Sequence, residues 1–281
     1  MSLLPEHLEE ISDPPKKIFT LGRPLEKDFL GIAIVGTRKP TSQGAALAFG
    51  IGERLGRMNI PVVSGLALGI DSAAHAGCLA SKGRTVAVMA GGLDRIYPDS
   101  NRNLAKRILN DGGSLLSEHP PGTPPFKHHF LARNRIVAAL SSAVIIIEAP
   151  ERSGSLATAG YAAEYGREVL VFPGNVFHTN YKGSHALIRD GARLVSSFED
   201  IIEDLRLSPK VKPSVRSLPG MSASSAAVFK VIADSSVPLS IDKIMTLIKL
   251  EPREIASALT ELTLDGIIAE SVEGYSAAAK F

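Results

Sequence analysis

Two signals alternate between residues 31 and 195, and no other feature of the chain constrains its fold as tightly. Short β-branched runs ending in Gly or Ser occur at GIAIVG (31–36), IPVVSG (60–65), TVAVMAGG (85–92), GSLLSE (113–118), SAVIIIEAP (142–150), EVLVFPG (168–174) and ARLVSS (192–197). Most are apolar throughout rather than alternating, the pattern of strands covered on both faces. Between them lie Ala- and Leu-rich stretches with helical spacing: Gln43–Arg57, Asp71–Ser81, Asn101–Asn110, Ala132–Leu140, Ser155–Gly166 and Ser184–Asp190. This alternation predicts an α/β domain built on an open, mostly parallel, doubly wound sheet. Such a sheet receives ligands in the crevice at the carboxyl ends of its strands.

Those strand ends carry the polar residues. The first runs into Gly36-Thr37-Arg38-Lys39-Pro40-Thr41-Ser42-Gln43-Gly44, which sets hydroxyls, backbone N–H groups and two cations at a helix start. That is a seat for phosphate, although Thr41 and Ser42 also suit a plain helix cap. The spacing is not G-x-G-x-x-G and no G-x-x-x-x-G-K-[ST] occurs, which removes the usual support for dinucleotide binding or a P-loop ATPase. The second strand ends in SGLALGIDSAAH (64–75), where Ser64, Gly65 and Gly69 allow close approach of a ligand to backbone. Asp71 there suits a helix cap and His75 a packed side chain, since a metal would need a third clustered ligand. Near the fourth strand, Pro-rich SEHPPGTPP (117–125) leads into Phe126-Lys127-His128-His129-Phe130-Leu131-Ala132-Arg133-Asn134-Arg135. Cations for phosphates, an aromatic face for a base and an Asn amide make the mix that single strands require, while core packing of Phe130 is the plain alternative. A fourth turn, EAPERSGSLATA (148–159), offers Ser153, Gly154, Ser155 and Thr158 at another helix start, as anion seat or as caps. A track for a phosphate backbone accounts for all four turns together.

The remaining chain reads as three further segments. Residues 1–30 form an N-terminal extension whose start is acidic and Pro-broken, unlike a signal peptide. Residues 31–204 are the α/β domain, and Pro/Ser/basic 205–220 is a linker. Residues 221–281 offer three helices and two short strands, the order of a small winged-helix domain. The longest apolar run, Ala143–Ile147, is far short of the about 20 residues a membrane span needs. One cysteine excludes a disulfide framework and a Cys-based metal site. A cytoplasmic protein without membrane contact, cofactor or metal is expected.

The series VGTR (35–38), SGLALGIDSAAH (64–75), AGGLDRIYP (90–98), SEHPPGTPP (117–125), ARNRI (132–136), EAPERSGSLATA (148–159), FPG (172–174) and LIRDGA (187–192) resembles the DNA-processing protein A family, DprA or Smf. The resemblance implies an extended Rossmann-like domain and a homodimer. It also implies that the protein binds single-stranded DNA, protects it on entry and helps load the RecA recombinase in natural transformation. It implies a strand groove containing Arg38, Lys127 and Phe130, with Arg133, Asn134 and Arg135 as groove or supporting residues; Lys39 joins them from the same turn. Two departures stand out. The sequence before the first strand is too short for the sterile-alpha-motif-like module many members carry. His185 stands where members often have Asn.

An enzyme is the rival reading. The lysine-decarboxylase-like nucleotide phosphoribohydrolases, acting on nucleoside monophosphates, have similar turns, with the hallmark P-G-G-x-G-T-x-x-E. The comparable SGSLATA here has its nearest helix carboxylate, Glu164, six residues beyond Thr158. No paired carboxylates, Ser–His–Asp set or Cys–His set is discernible, so catalytic residues are not expected and a binding protein is favoured. Charge fits that division. The chain's net +2 conceals +5 over residues 31–200 and −3 over Leu218–Phe281. An acidic winged helix would repel phosphate, which suits protein contacts or dimer support better than DNA reading.

Overall fold

The seven apolar runs become seven parallel strands of one sheet, and an eighth strand comes from the N-terminal segment. The computed structural model describes residues 4–207, 222–233, 235, 238–248, 250–264, 267–271 and 274–277. The chain divides into two units, 1–210 and 211–281. The first contains β1 (Phe19–Gly22), β2 (Gly31–Gly36), β3 (Val62–Ser64), β4 (Thr85–Met89), β5 (Ser114–Ser117), β6 (Ser141–Ile147), β7 (Glu168–Val171) and β8 (Arg193–Leu194). Their order in the sheet is β1-β5-β4-β3-β2-β6-β7-β8, with β1 antiparallel to β5 and the remaining neighbours parallel. The chain builds outward from β2 through β3 and β4 to β5, then returns to place β6 against the other side of β2. The switch point therefore lies between β2 and β6, and the ligand crevice of this architecture opens at their carboxyl ends.

Side-chain alternation along the strands supplies both faces of the sheet. On β2, Ile32 and Ile34 join one buried cluster with Ile51 and Leu55 of α2 (Ser42–Arg57) and Ala74 of α3 (Ile70–Ala80). Ala33 and Val35 join the opposite cluster with Ile136 and Leu140 of the α5 region (Lys127–Ala139) and Ala159 of α6 (Gly154–Glu164). Helices α4 (Arg102–Asn110) and α7 (Lys182–Arg189) complete the α/β connections, and α8 (Phe198–Asp204) follows the last strand. Helix α5 begins at Lys127, five residues before the expected start at Ala132, so the cations of that segment belong to its first turns. Cys78 is packed among α2 and α3 side chains, where burial pushes its thiol up to about 12.

The first thirty residues are not an appended extension. Leu8 of α1 (Glu6–Glu9) and Ile11 are buried against the α5 side of the sheet, and β1 pairs with β5 from Phe19 to Gly22. The expected linker also starts too early, because Leu205 and Leu207 pack on the α2 side. Its residues 208–220 lie outside the described residues.

The second unit contains α9 (Ala223–Ala233), α10 (Ile241–Leu247), α11 (Pro252–Leu264) and an antiparallel pair, β9 (Ile268–Ser271) and β10 (Gly274–Ala277). Val228, Ile232, Ile244, Ile255, Leu259, Leu262 and Ile268 form its own core. Ser240 caps α10 by accepting from Lys243 N at 3.3 Å. Among the described residues, no helix is long and apolar enough to cross a membrane.

Candidate nucleic-acid interface

A cavity of about 380 Å³ occupies the switch-point crevice. Thr37 and Arg38 line it from the turn after β2, Phe130, Arg133 and Asn134 from α5, and Ser153, Gly154, Ser155 and Thr158 from the start of α6. The Arg38 guanidinium lies over the Phe130 ring, 5.1 Å from its centroid, and Tyr97 meets the same ring edge-on at 5.7 Å. Phe130 is thus half-buried at the cavity wall, held by a cation–π contact and a ring contact rather than absorbed by the core. Ser153 caps α6 by accepting from Ser155 N at 3.3 Å, and the positive end of that helix faces the cavity. Ser155 and Thr158 are buried in the same wall. Arg38, Lys39 and Lys127 are exposed.

Beneath this surface the polar side chains serve the fold. Arg133 is 6% exposed and donates from Nη1 to the carbonyls of Gly65, at 2.6 Å, and Val88. A Cβ on Gly65 would overlap that guanidinium, so the glycine makes room for it. Burial draws Arg133 down to about 10, opposed by Asp71, and it stays charged at neutral pH. Asp71 does not cap α3, whose cap position is Gly69. Its carboxylate accepts from Gly65 N at 3.0 Å and Ala67 N at 3.3 Å, fixing the loop before the helix. Burial raises the Asp71 pKa against the pull of Arg133 and those N–H groups. Gly69 has φ of +82°, and a Cβ there would strike the Thr37 carbonyl, so the β3 loop seats directly on the β2 turn. Asn134 accepts from Arg133 Nε at 3.3 Å and donates to Gly154 O at 3.0 Å, tying α5 to the start of α6.

Two expected groove residues are corrected. Ser64 is fully buried and donates to Ile34 O at 2.7 Å. Arg135 is 5% exposed and pairs with Glu118 at 2.8 Å and Asp13 at 3.1 Å, so it anchors the N-terminal segment and does not line the cavity.

The turn at 36–44 also differs from expectation. Thr41 caps α2, accepting from Gly44 N at 3.0 Å, but the anion at this helix start is the chain's own Glu148. Its buried carboxylate accepts from Thr41 N at 2.9 Å, from Thr41 Oγ1, from Asn180 Nδ2 at 2.8 Å and from Tyr181 Oη at 3.1 Å. A Cβ on Gly44 would occupy the carboxylate's place. Burial works to raise the Glu148 pKa, yet the Thr41, Asn180 and Tyr181 donors outweigh it and hold the group below its ordinary value. The backbone at Glu148 is left-handed, with φ of +52°, and its carbonyl accepts from Thr37 N at 2.8 Å across the switch point. The open anion seat is accordingly the start of α6. Asn180 Nδ2 also donates to Lys39 O at 3.0 Å, which brings the loop after β7 beside the Arg38–Lys39 turn. His185 is placed 3.2 Å from Gly174 O and stacks on Tyr181.

Glu148 and Tyr97 are the site-building residues that sequence reasoning passed over, although both stand in motifs it singled out; Asp71 was noticed, but as a helix cap. Among the described residues, no group of three or more His, Cys, Asp or Glu side chains is placed to hold a metal ion.

The profile of the DNA recombination-mediator protein A family matches residues 2–206. The chain is 45% identical to the DNA processing protein DprA of Bacillus subtilis over 202 residues, covering 72% of this chain and 68% of that protein. It superimposes on DNA processing protein A from Streptococcus pneumoniae with a TM-score of 0.65 at 42% identity, covering 72% of this chain and 70% of that one. For DNA processing protein A from Helicobacter pylori, solved for its single-stranded DNA binding mode, the TM-score is 0.68 at 33% identity, with 73% and 94% covered.

Proposed function

The chain belongs to the DNA recombination-mediator protein A family, and on that premise we propose that it binds single-stranded DNA in the β2–β6 crevice during natural transformation and recombination. The observation that carries this reading is the Arg38–Phe130 pair set beside the start of α6 in one cavity. Phosphates take the exposed cations Arg38, Lys39 and Lys127 and the N–H groups of α6. A base takes the Phe130 ring, displacing the guanidinium from its face and freeing it for a phosphate. Only an unpaired base offers that face, so single strands are preferred, and stacking is indifferent to base identity. Arg133, Asp71, Asn134 and Glu148 hold the walls apart at fixed separation.

The same family membership supports a cytoplasmic homodimer that delivers the strand to the RecA recombinase. The second unit acts as a protein-contact module of winged-helix type, the net charge of −3 over its residues 218–281 opposing a phosphate surface. The protein is a binder rather than an enzyme. Glu164, on which the phosphoribohydrolase reading depends, ends α6 and accepts from Ser12 Oγ at 2.6 Å. It stands about 15 Å along the helix axis from the end that faces the cavity.

Fluorescence anisotropy with single-stranded and duplex oligonucleotides at two salt concentrations tests the reading. Single strands should bind more tightly, with affinity falling as salt rises. Arg38→Ala and Lys127→Ala should weaken binding and flatten the salt slope, and Phe130→Ala should cost about 1–3 kcal/mol. Unchanged binding by folded variants overturns the groove. Hydrolysis of a nucleoside monophosphate by the same preparation, abolished by Glu164→Gln, would favour the enzyme.

A further inference from the structure

We propose that the loop between β7 and α7 is a second stacking platform for the same DNA strand, with Phe177 as its ring; this rests on the single-strand reading above. Phe177 is 92% exposed, the most exposed large apolar side chain among the described residues, and its neighbour Val176 is 68% exposed. A solitary exposed apolar residue is ordinary on a protein surface. What sets Phe177 apart is how its loop is held. Asn175 Oδ1 accepts from Phe177 N at 2.9 Å, His178 N donates to Asn175 O at 3.0 Å, and Asn180 N donates to His178 Nδ1 at 3.2 Å. Asn180 then binds both Lys39 O and Glu148, which fastens the loop to the turn carrying Arg38 and Lys39.

The ring is therefore presented to water by a fixed scaffold, at the same carboxyl edge of the sheet as Phe130. Exposed Lys39 belongs to the turn that joins the two places. Beside the loop lies a separate recess of about 520 Å³, lined among others by Gln43, Phe172, Asn175, His178 and Tyr181. It offers amide and imidazole groups to the edge of a base. A strand stacked on Phe130 and crossing the Arg38–Lys39 turn meets Phe177 next. Because the loop is already ordered, little freedom is lost when a base settles on it. The occupant assigned is a later nucleotide of the bound strand, not a second copy of this chain.

The chain contains no tryptophan, so Phe177→Trp introduces a sole indole reporter. The test titrates parent protein, Phe177→Ala, Phe177→Trp and Phe130→Ala with oligo-dT of increasing length. Phe177→Ala should bind the longer oligonucleotides about 5- to 160-fold more weakly, the range expected for one stacked base, and the shortest ones as the parent does. The indole of Phe177→Trp should be quenched only by the longer strands. If the parent and Phe130→Ala behave as the groove requires while Phe177→Ala matches the parent at every length, the platform falls and the groove stands. Equal loss at every length would merge the two places into one site and overturn a separate platform. An indole emission that shifts with protein concentration in the absence of DNA would make Phe177 a self-association contact, also overturning it. A parent that binds no oligonucleotide removes both readings.

Discussion

Thr85 donates its hydroxyl proton to the Val62 carbonyl at 2.8 Å, so its oxygen can only accept from His75 Nδ1, 2.7 Å away. The neutral ring with a bare Nε2 follows, and that buried nitrogen has no hydrogen-bond partner. A second proton would place an unpaired N–H and a charge beside Arg133; burial first, and that cation second, push the His75 pKa down to about 3. The folded value thus lies below the unfolded one of about 6.5, so the unfolded chain holds the extra proton between them. The stability contribution is complete above about pH 6.5 and is lost as pH falls towards 3, by about 1.4 kcal/mol per pH unit. Urea unfolding across that range should show parent stability falling more steeply than that of His75→Gln, whereas parallel slopes would refute the assignment. Packing of His75 was legible in the sequence, as was the presence of cations in ARNRI. Their burial was not, because Arg133 finds its partners on the loop after β3 and on β4 itself, and Arg135 finds Asp13 in the N-terminal segment.

At the scale of elements, the least legible strand was β1, because the reason it is a strand lies in its partner. FTLG has little alternation of its own, and it is extended because β5 would otherwise present an unpaired edge. Removing residues 1–22 should free that edge, uncover the site of Leu8 and Ile11, and take Asp13 from Arg135. The two apolar side chains alone account for about 1.5–3 kcal/mol each. The truncated protein should melt well below the parent and associate through the bared edge, as thermal unfolding and light scattering would register. An unchanged melting temperature and a monodisperse product would show that the segment is dispensable. The turn before α2 teaches a related lesson. Thr41, Gly44 and an adjacent strand end describe an anion seat equally well whether the anion is a guest or the chain's own Glu148.

For the whole molecule, the doubly wound class was readable from strand–helix alternation, but the switch point was not, since sequence order does not state sheet order. Charge behaves similarly: the net +2 is the sum of a basic α/β region and an acidic second unit. Each unit has its own core, which makes their contributions separable. Residues 1–210 alone should bind single-stranded DNA within about three-fold of the full chain, a difference under ~1 kcal/mol. Residues 211–281 should bind neither single strands nor duplex at physiological salt. Titration of both fragments decides this, and duplex binding by the smaller one would reverse the role assigned to it.

Glu148 receives only uncharged donors: a backbone N–H, two hydroxyls and a carboxamide. The Glu148 contacts across the crevice therefore include no cation that a passing phosphate could recruit, and no ion pair that added salt could loosen. In the proposed single-strand complex, added salt therefore competes with the strand for the exposed cations and leaves this joint intact.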